Sequence, residues 1–550
     1  MDTVVADLLD RARAWLAEDP DEQTRAELAA VVAAVEAGDE PARADLADRF
    51  SGPLEFGTAG LRGALGAGPN RMNRVVVVRA AAGLAAYLRE QGATAPVVIG
   101  YDARHNSDVF ARDTAEVMTG AGFKAWLMPR PLPTPLLAFA IRELGCSAGV
   151  MVTASHNPPE DNGYKVYLGD GSQIVPPADT GIADRIAAVG ALADVPRGAG
   201  GTVLGEDVVD RYLDTVAGLA ADGPRDLSLV YTPLHGVGGT SVLQVLETAG
   251  FDAPRVVSQQ EEPDPEFPTV AFPNPEEPGA MDLAMALAEE SDADLVVAND
   301  PDADRCAAAV PTRQGWRMLR GDEVGALLGH TLLAAGKPGT YAASIVSSSL
   351  LGRMAAAAGR QYVETLTGFK WIGRVEGLAF GYEEALGYCV DPEHVRDKDG
   401  VSALLLLCEL AARVKAQGRT LLDVLDDIAR EHGLHATDQL SVRVTDLAEI
   451  GAAMERLRTT PPTSLGGLAV EQADDLAAGS AELPPTDGLR YRLAQGARVV
   501  VRPSGTEPKL KCYLEVVVPV PADGPVDDAR AAAADLLAAV RDDVRAAAGI

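Results

Sequence analysis

Cysteine is scarce and basic charge is outweighed in this 550-residue chain. Its five Cys (146, 306, 389, 408 and 512) are scattered, odd in number and without C-x-x-C spacing. That argues against a disulfide framework or a zinc site and suits reduced cytosolic thiols. Lys and Arg number 48 against 80 Asp and Glu, a formal net charge of −32. Such an acidic surface disfavours nucleic-acid backbones and anionic membranes as partners. A phosphorylated ligand would have to be drawn in by local basic groups.

Long apolar runs are missing too. The most apolar helical stretch, 401–412, contains Glu409, and about a dozen residues cannot span a bilayer. Met1-Asp2-Thr3-Val4 has neither a basic nor an apolar signal region, so no secretory leader is expected. No G-x-x-x-x-G-K-[ST] occurs, which excludes a nucleotide P-loop. Ser155 lacks the G-x-S-x-G setting, and His156 beside it in sequence is expected to point away, so a serine hydrolase is disfavoured. The expectation is a soluble, cytoplasmic protein.

The chain has length for about three or four domains, and its 47% hydrophobic residues are ample for buried cores. Residues 1–50 carry helical spacing (Leu8, Leu9, Ala12, Trp15, Leu16) and read as an acidic, mostly surface helical arm. From residue 97 strands alternate with helices: 97–99, 107–119, 123–128 and 147–152. This rhythm indicates βαβ units. It restarts at 229–231 and again at 341–346, which suggests a repeated α/β domain although no repeat is legible residue by residue. Boundaries are expected at 196–205, 311–322 and 432–438. The resulting divisions are 1–205, 206–320, 321–437 and a smaller α+β domain, 438–550. The Glu-, Pro- and Asp-rich stretch 261–278 reads as a polar loop of no assignable role.

Four loops carry chemistry. Thr153-Ala154-Ser155-His156-Asn157-Pro158 follows the apolar run 147–152, placing Ser155 on a stiff loop at the carboxyl end of a strand, where ligands bind in open α/β sheets. Asn299-Asp300-Pro301-Asp302-Ala303-Asp304-Arg305 puts three carboxylates at alternate positions on one side of an extended loop. Hard oxygen ligands of this kind suit a divalent cation, and magnesium completes its shell with phosphate oxygens. An EF-hand is excluded, because its sixth and twelfth positions are Arg305 and Pro311. Gly381-Tyr382-Glu383-Glu384-Ala385-Leu386-Gly387 offers paired Glu that can accept from adjacent sugar hydroxyls. Arg502-Pro503-Ser504-Gly505-Thr506-Glu507-Pro508-Lys509 combines an Arg, two hydroxyls, a Gly and backbone N–H groups, an anion nest for a phosphate dianion. Phe56-Gly57-Thr58-Ala59-Gly60-Leu61-Arg62-Gly63 is Gly-rich with one charge, Arg62, and Lys398 between Asp397 and Asp399 reads by itself as a surface salt-bridge residue.

In this order the loops resemble the α-D-phosphohexomutase superfamily, close to its phosphopentomutase-like branch, over nearly the whole chain. The resemblance implies three α/β domains with mixed sheets and a smaller fourth, arranged around a central cleft. It implies that Ser155 is the phosphoserine and that Ser155, Asp300, Asp302 and Asp304 hold Mg2+. It gives Glu383 the sugar-hydroxyl contact and Arg502, Ser504, Gly505 and Thr506 the non-reacting phosphate. Arg62, His156, Lys165, Arg305 and Lys398 match basic residues around the reacting phosphate or proton-transfer positions. The implied reaction interconverts sugar 1-phosphate and sugar 6-phosphate (glucose or mannose), primed by a sugar bisphosphate; the partners are small-molecule sugar phosphates, and monomer and homodimer both stay open. Ala385 departs from the Ser of most hexose enzymes, which keeps a phosphopentomutase open. A haloacid-dehalogenase-like phosphatase with Asp300 as nucleophile and a non-catalytic sugar-phosphate sensor are the alternatives from other classes.

Overall fold

The computed structural model describes residues 3–55, 60–444, 447–480, 483–504, 509–522 and 524–550. They form two compact units. The first comprises Met1–Asp222, Leu227–Arg317 and Glu393–Leu405, the second Gly223–Asp226, Met318–Pro392 and Leu406–Ile550.

In the first unit one sheet contains β1 (Leu61–Ala64), β2 (Val97–Tyr101), β3 (Ala125–Leu127), β4 (Ala148–Val152), β5 (Asp161–Leu168) and β6 (Thr202–Val203), in the order β1-β5-β4-β2-β3-β6. Strands β2, β3 and β4 run parallel, while β5 turns back against β4. Every residue of β4 is buried, as expected of a strand covered on both faces. A second sheet holds β7 (Leu229–Thr232), β8 (Arg255–Val256), β9 (Leu295–Ala298), β10 (Ala307–Thr312) and β11 (Gly315–Met318), ordered β11-β10-β9-β7-β8. Here β10 turns back against β9.

The second unit carries β12 (Thr340–Ser344), β13 (Gln361–Thr365), β14 (Leu378–Glu383) and β15 (Gly387–Cys389), ordered β13-β12-β14-β15, with β15 antiparallel to β14. Its last sheet is antiparallel: β16 (Leu434–Arg443), β17 (Ser464–Leu465), β18 (Leu468–Asp475), β19 (Leu489–Leu493), β20 (Arg498–Pro503) and β21 (Lys509–Val518), ordered β16-β21-β20-β19-β18-β17. Helices Leu447–Thr459 and Val526–Ala548 contribute Met454, Leu457, Leu537 and Val540 to its core. The fold is thus three mixed-sheet α/β domains and an antiparallel C-terminal one.

A repeat invisible in sequence appears in the connections. In each α/β sheet a buried parallel strand is followed directly by an antiparallel neighbour: β4 by β5, β9 by β10 and β14 by β15. The Ser155, Asp300 and Glu383-Glu384 stretches lie at these three reversals, and the Arg502 stretch at a fourth, from β20 to β21.

The expected boundary 311–322 carries strand as well: β10 and β11 run through its first part, and the division between the two units falls within it, after Arg317. Pro311 is tolerated there because the ladder to β9 covers only Ala307–Ala309, so its missing N–H breaks no bond to that strand. The amino-terminal helices Thr3–Glu18, Glu22–Glu36 and Glu40–Arg49 are more than a surface arm. They bury Leu9, Ala12, Leu28, Val32, Leu46 and Phe50 in a small core. Among the described residues no helix is long and apolar enough to cross a membrane.

Candidate active site

Beyond β4 the chain enters a left-handed turn at Ser155, φ +53°. The Ser155 N–H donates to Thr153 Oγ1 at 2.8 Å, fastening the turn from within. Ser155 is buried, and its Oγ donates to Asp300 Oδ2 at 2.8 Å. His156 Nδ1 lies 3.1 Å from the same Oγ, so the expectation that His156 points away is wrong: the positive φ folds the backbone back and puts both side chains on one side. A hydroxyl has one proton. With that proton on the bond to Asp300, the His156 tautomer carrying Nδ1–H is the one that completes the pair. Burial, then Arg305 and Arg62, hold His156 well below the usual imidazole range, so the ring is neutral.

The acidic stretch is a tight turn rather than an extended loop. Ala303 sits at φ +55° and its N–H donates to Asp300 O at 2.8 Å. This brings one oxygen from each of Asp300, Asp302 and Asp304 within 4.8 Å of the others, all three residues being buried. Asp302 Oδ2 accepts from Thr134 Oγ1 at 2.6 Å and Lys165 Nζ at 2.8 Å; Asp304 Oδ2 accepts from Lys165 Nζ at 3.0 Å and lies 3.1 Å from Lys398 Nζ. Asp302 Oδ1 and Asp304 Oδ1 are buried without a hydrogen-bond partner among the described residues. An orphaned buried carboxylate oxygen is costly; two of them beside Asp300 fit a hard divalent cation such as Mg2+. Burial, with Asp302 and Asp304 adding to it, raises the Asp300 carboxyl well above the carboxylate range. Burial pushes Asp302 the same way, but Lys165 and the hydrogen bonds from Lys165 and Thr134 hold it below that range.

Lys398 is buried here, not a surface residue. It arrives on the Glu393–Leu405 segment, which lies flat on the acidic turn: a Cβ on Gly400 would come 2.1 Å from Arg305 O, so only glycine fits. Asp397 Oδ2 accepts from Tyr167 OH and Gln173 Nε2, both at 2.7 Å, while its Oδ1 accepts from the Lys398 N–H at 2.8 Å. Tyr212 OH donates to Asp399 Oδ1 at 2.9 Å. Arg62, on β1, donates from Nη1 to Asn157 Oδ1 at 2.9 Å, and the Arg305 N–H donates to Asp300 Oδ1 at 3.0 Å. Ser155, His156, Lys165, Arg62, Arg305, Lys398 and the three Asp therefore share the first unit.

In the second unit Glu383 ends β14, opposite Gly387. Glu384 turns inward: Ser344 Oγ and Ser347 Oγ lie 3.1 and 3.0 Å from its Oε2, and its N–H donates to Ser347 Oγ at 3.0 Å. Arg502, on β20 opposite Lys511, lines a small cavity with Leu366, Thr367 and Gly488. The Ser504 N–H donates to Lys509 O at 2.8 Å, closing the base of that loop. Gly505 and Thr506 lie outside the described residues, as do Phe56–Ala59 of the first Gly-rich stretch.

Sequence reasoning missed Thr134, Tyr167, Gln173 and Arg104. None lies in an irregular motif except Thr134, within the Pro-rich turn Pro131-Leu132-Pro133-Thr134-Pro135.

Four consecutive family descriptions match the chain: phosphoglucomutase/phosphomannomutase alpha/beta/alpha domain I over residues 53–192, domain II over 210–315, domain III over 320–432 and the C-terminal domain over 440–533. A probable phosphomannomutase of Haemophilus influenzae is 52% identical over 453 residues, 81% of this chain and 93% of the relative. The phosphoribomutase of Saccharomyces cerevisiae is 37% identical over 588 residues, 94% and 93% of the two chains. A crystal structure of a phosphoglucomutase/phosphomannomutase family protein from Burkholderia thailandensis shares the fold at TM-score 0.69 and 21% identity, over 90% of this chain and 97% of that one.

Fold, centre and relatives together define an intramolecular phosphotransferase acting on sugar phosphates. The chain belongs to the phosphoglucomutase/phosphomannomutase family of the α-D-phosphohexomutase superfamily. That membership replaces the phosphatase and sensor alternatives.

Proposed function

We propose that this phosphosugar mutase interconverts the 1-phosphate and 6-phosphate of a hexose, glucose or mannose, through phosphoserine at Ser155 and a sugar bisphosphate that also primes the enzyme. The carrying observation is the Ser155 Oγ 2.8 Å from Asp300, beside two orphaned carboxylate oxygens. Residues 1–205 contribute the phosphoserine, 206–320 the metal carboxylates, 321–437 the sugar contact and 438–550 the distal phosphate grip.

In the forward step the P–O bond to Ser155 Oγ breaks and a bond forms from phosphorus to the free sugar hydroxyl. The hydroxyl proton leaves to Lys398 or Lys165 in its neutral amine form, the neutral His156 donates a hydrogen bond from Nδ1 to the departing Oγ, and that oxygen takes up one proton in place of the phosphoryl group. Asp300, Asp302, Asp304 and the Ser155 phosphate would hold Mg2+, which neutralises charge on the transferring group. Arg62 and Arg305 face the same phosphate, while Arg502, with Ser504, Gly505 and Thr506, grips the non-reacting one. Turning the bisphosphate end for end requires both phosphates to fit that grip, and Glu383 accepts the ring hydroxyls in either orientation.

The 52% identical phosphomannomutase supports a hexose. A second reading, ribose or deoxyribose 1-phosphate to 5-phosphate, is favoured by Ala385 in place of Ser and by the end-to-end phosphoribomutase relative. Coupled assays with glucose, mannose and ribose 1-phosphates side by side separate the two. Peptide mass analysis should find one phosphate on Ser155, removable by substrate. Phosphate on Asp300 instead would end the phosphoserine reading.

A further inference from the structure

Arg104 follows β2 and is 4% exposed. Its Nη2 donates to Ser155 O at 2.7 Å and to Asn157 O, and its Nη1 donates to Pro158 O at 2.8 Å and Asp161 O at 3.2 Å. One side chain thus takes up four backbone carbonyls of the stretch that carries Ser155. Asp102 holds the base of this arm: its Oδ1 accepts the Arg104 N–H at 3.0 Å and Ser107 Oγ at 2.6 Å, and its Oδ2 lies 3.5 Å from Arg104 Nε.

The flat face of the guanidinium is covered by the polar stretch 261–278, which forms neither helix nor strand. The Phe267 ring centroid lies 4.9 Å from Arg104 Cζ, Glu266 Oε1 is 2.5 Å from His105 Nε2, and Phe272 lies 6.0 Å from the His156 ring. The stretch is itself pinned to the turn after β7 and to Gln260 just before it: the Asp264 N–H donates to His235 O at 3.0 Å, and Thr269 Oγ1 is bonded by His235 Nε2 at 2.8 Å and Gln260 Nε2 at 2.9 Å.

We propose that Arg104 is a positioning residue for phosphoryl transfer: it clasps the loop carrying Ser155, and the 261–278 stretch supplies the ring that keeps it in place. This rests on the phosphoserine reading above. The physical need is local. A non-glycine residue at φ +53° is in a disfavoured conformation, which persists only where surrounding bonds over-determine it. If the carbonyls are released, the turn relaxes and Oγ leaves Asp300. A lysine keeps the charge but has no planar fork, so it cannot span four carbonyls.

The test uses the full-length enzyme, phosphorylated with glucose 1,6-bisphosphate, and follows single-turnover transfer from Ser155 to glucose 1-phosphate. A rate constant read on phosphoenzyme is independent of any unfolded fraction, so it reports position rather than folding yield. Arg104→Lys is expected to slow transfer about 10²-fold, the loss expected from a misplacement of about 1 Å. Phe267→Leu keeps apolar bulk and removes the ring, and should slow it about threefold. A wild-type rate constant in Arg104→Lys overturns the proposal; if that variant yields no folded enzyme, a wild-type rate in Phe267→Leu overturns it. Wild-type enzyme that acquires no phosphate on Ser155 brings down the phosphoserine reading and the clasp with it, an outcome distinct from a phosphoenzyme indifferent to both changes.

Discussion

Replacing Glu384 by Gln should change how stability responds to pH. Burial, with Glu383 and Asp322 adding to it, pushes the Glu384 carboxyl from its ordinary 4.5 up to about 7. A folded-state value above the unfolded one means that the native protein holds a proton the unfolded chain has already lost. Stability therefore falls as pH rises from about 4.5 to about 7 and is level beyond. The difference between 7 and 4.5, at about 1.36 kcal/mol per decade, is about 3.4 kcal/mol in total. Between pH 5 and pH 8 about 2.5 kcal/mol of that is traversed, because part of the loss precedes pH 5. Gln has no proton to lose and its amide oxygen can still accept from Ser344 and Ser347. Urea unfolding followed by circular dichroism, at pH 5 and pH 8 for both proteins, isolates this one group, since every other titration is common to the pair. The wild type should lose about 2.5 kcal/mol more than Glu384→Gln across the interval. Parallel losses would refute the reasoning and mean that Glu384 ionises freely in the folded protein.

Asp302→Asn should weaken Mg2+ binding measured by calorimetry, since it removes the carboxylate that Lys165 and Thr134 keep ionised in the cluster; unchanged affinity would place the ion elsewhere. Lys398→Met and Lys165→Met, assayed for rate against pH, should identify the base by which substitution abolishes the pH-dependent limb; two unchanged profiles would remove both. Arg502→Ala should raise KM and release free bisphosphate, a lost charged contact typically costing about 2–5 kcal/mol; an unchanged KM would put the distal phosphate at another site. Ala385→Ser should move the kcat/KM ratio toward hexose over pentose substrates, because the new hydroxyl has a partner only on the larger ring. An unmoved ratio would mean that this position carries no sugar specificity.

The four site loops were legible because each interrupts a regular pattern with residues that regular structure does not need: Ser155 before two prolines, three Asp after a buried strand, two Glu bounded by glycine, and Arg502 ahead of Gly505. What supports those loops was not legible. Thr134 and Asp302 are 168 residues apart, Tyr167 and Asp397 230, and such bonds leave no mark within a short window. Arg104 follows an ordinary strand, and no motif marks it out. His156 was misjudged for a backbone reason: side chains adjacent in an extended chain diverge, and nothing in the residues themselves announces φ +53° at Ser155. The polar stretch 261–278 was identified correctly as a loop, but its role depends on two phenylalanines whose partners lie in the first sheet's loops.

The Glu393–Leu405 segment has a consequence for the order in which the enzyme comes into being. It belongs to the first unit although Met318–Pro392, which precedes it, belongs to the second. A growing chain can assemble the sheets that hold Ser155 and the three Asp, yet Lys398 is still 94 residues behind Asp304. At about 5–20 residues per second that is a delay of roughly 5–20 s. Throughout that interval Asp304 and Tyr167 stand ready without the lysine and the carboxylate that later meet them. Until most of the chain exists, the nascent protein therefore lacks the Lys398 and Asp397 side chains that meet Asp304 and Tyr167 in the complete fold.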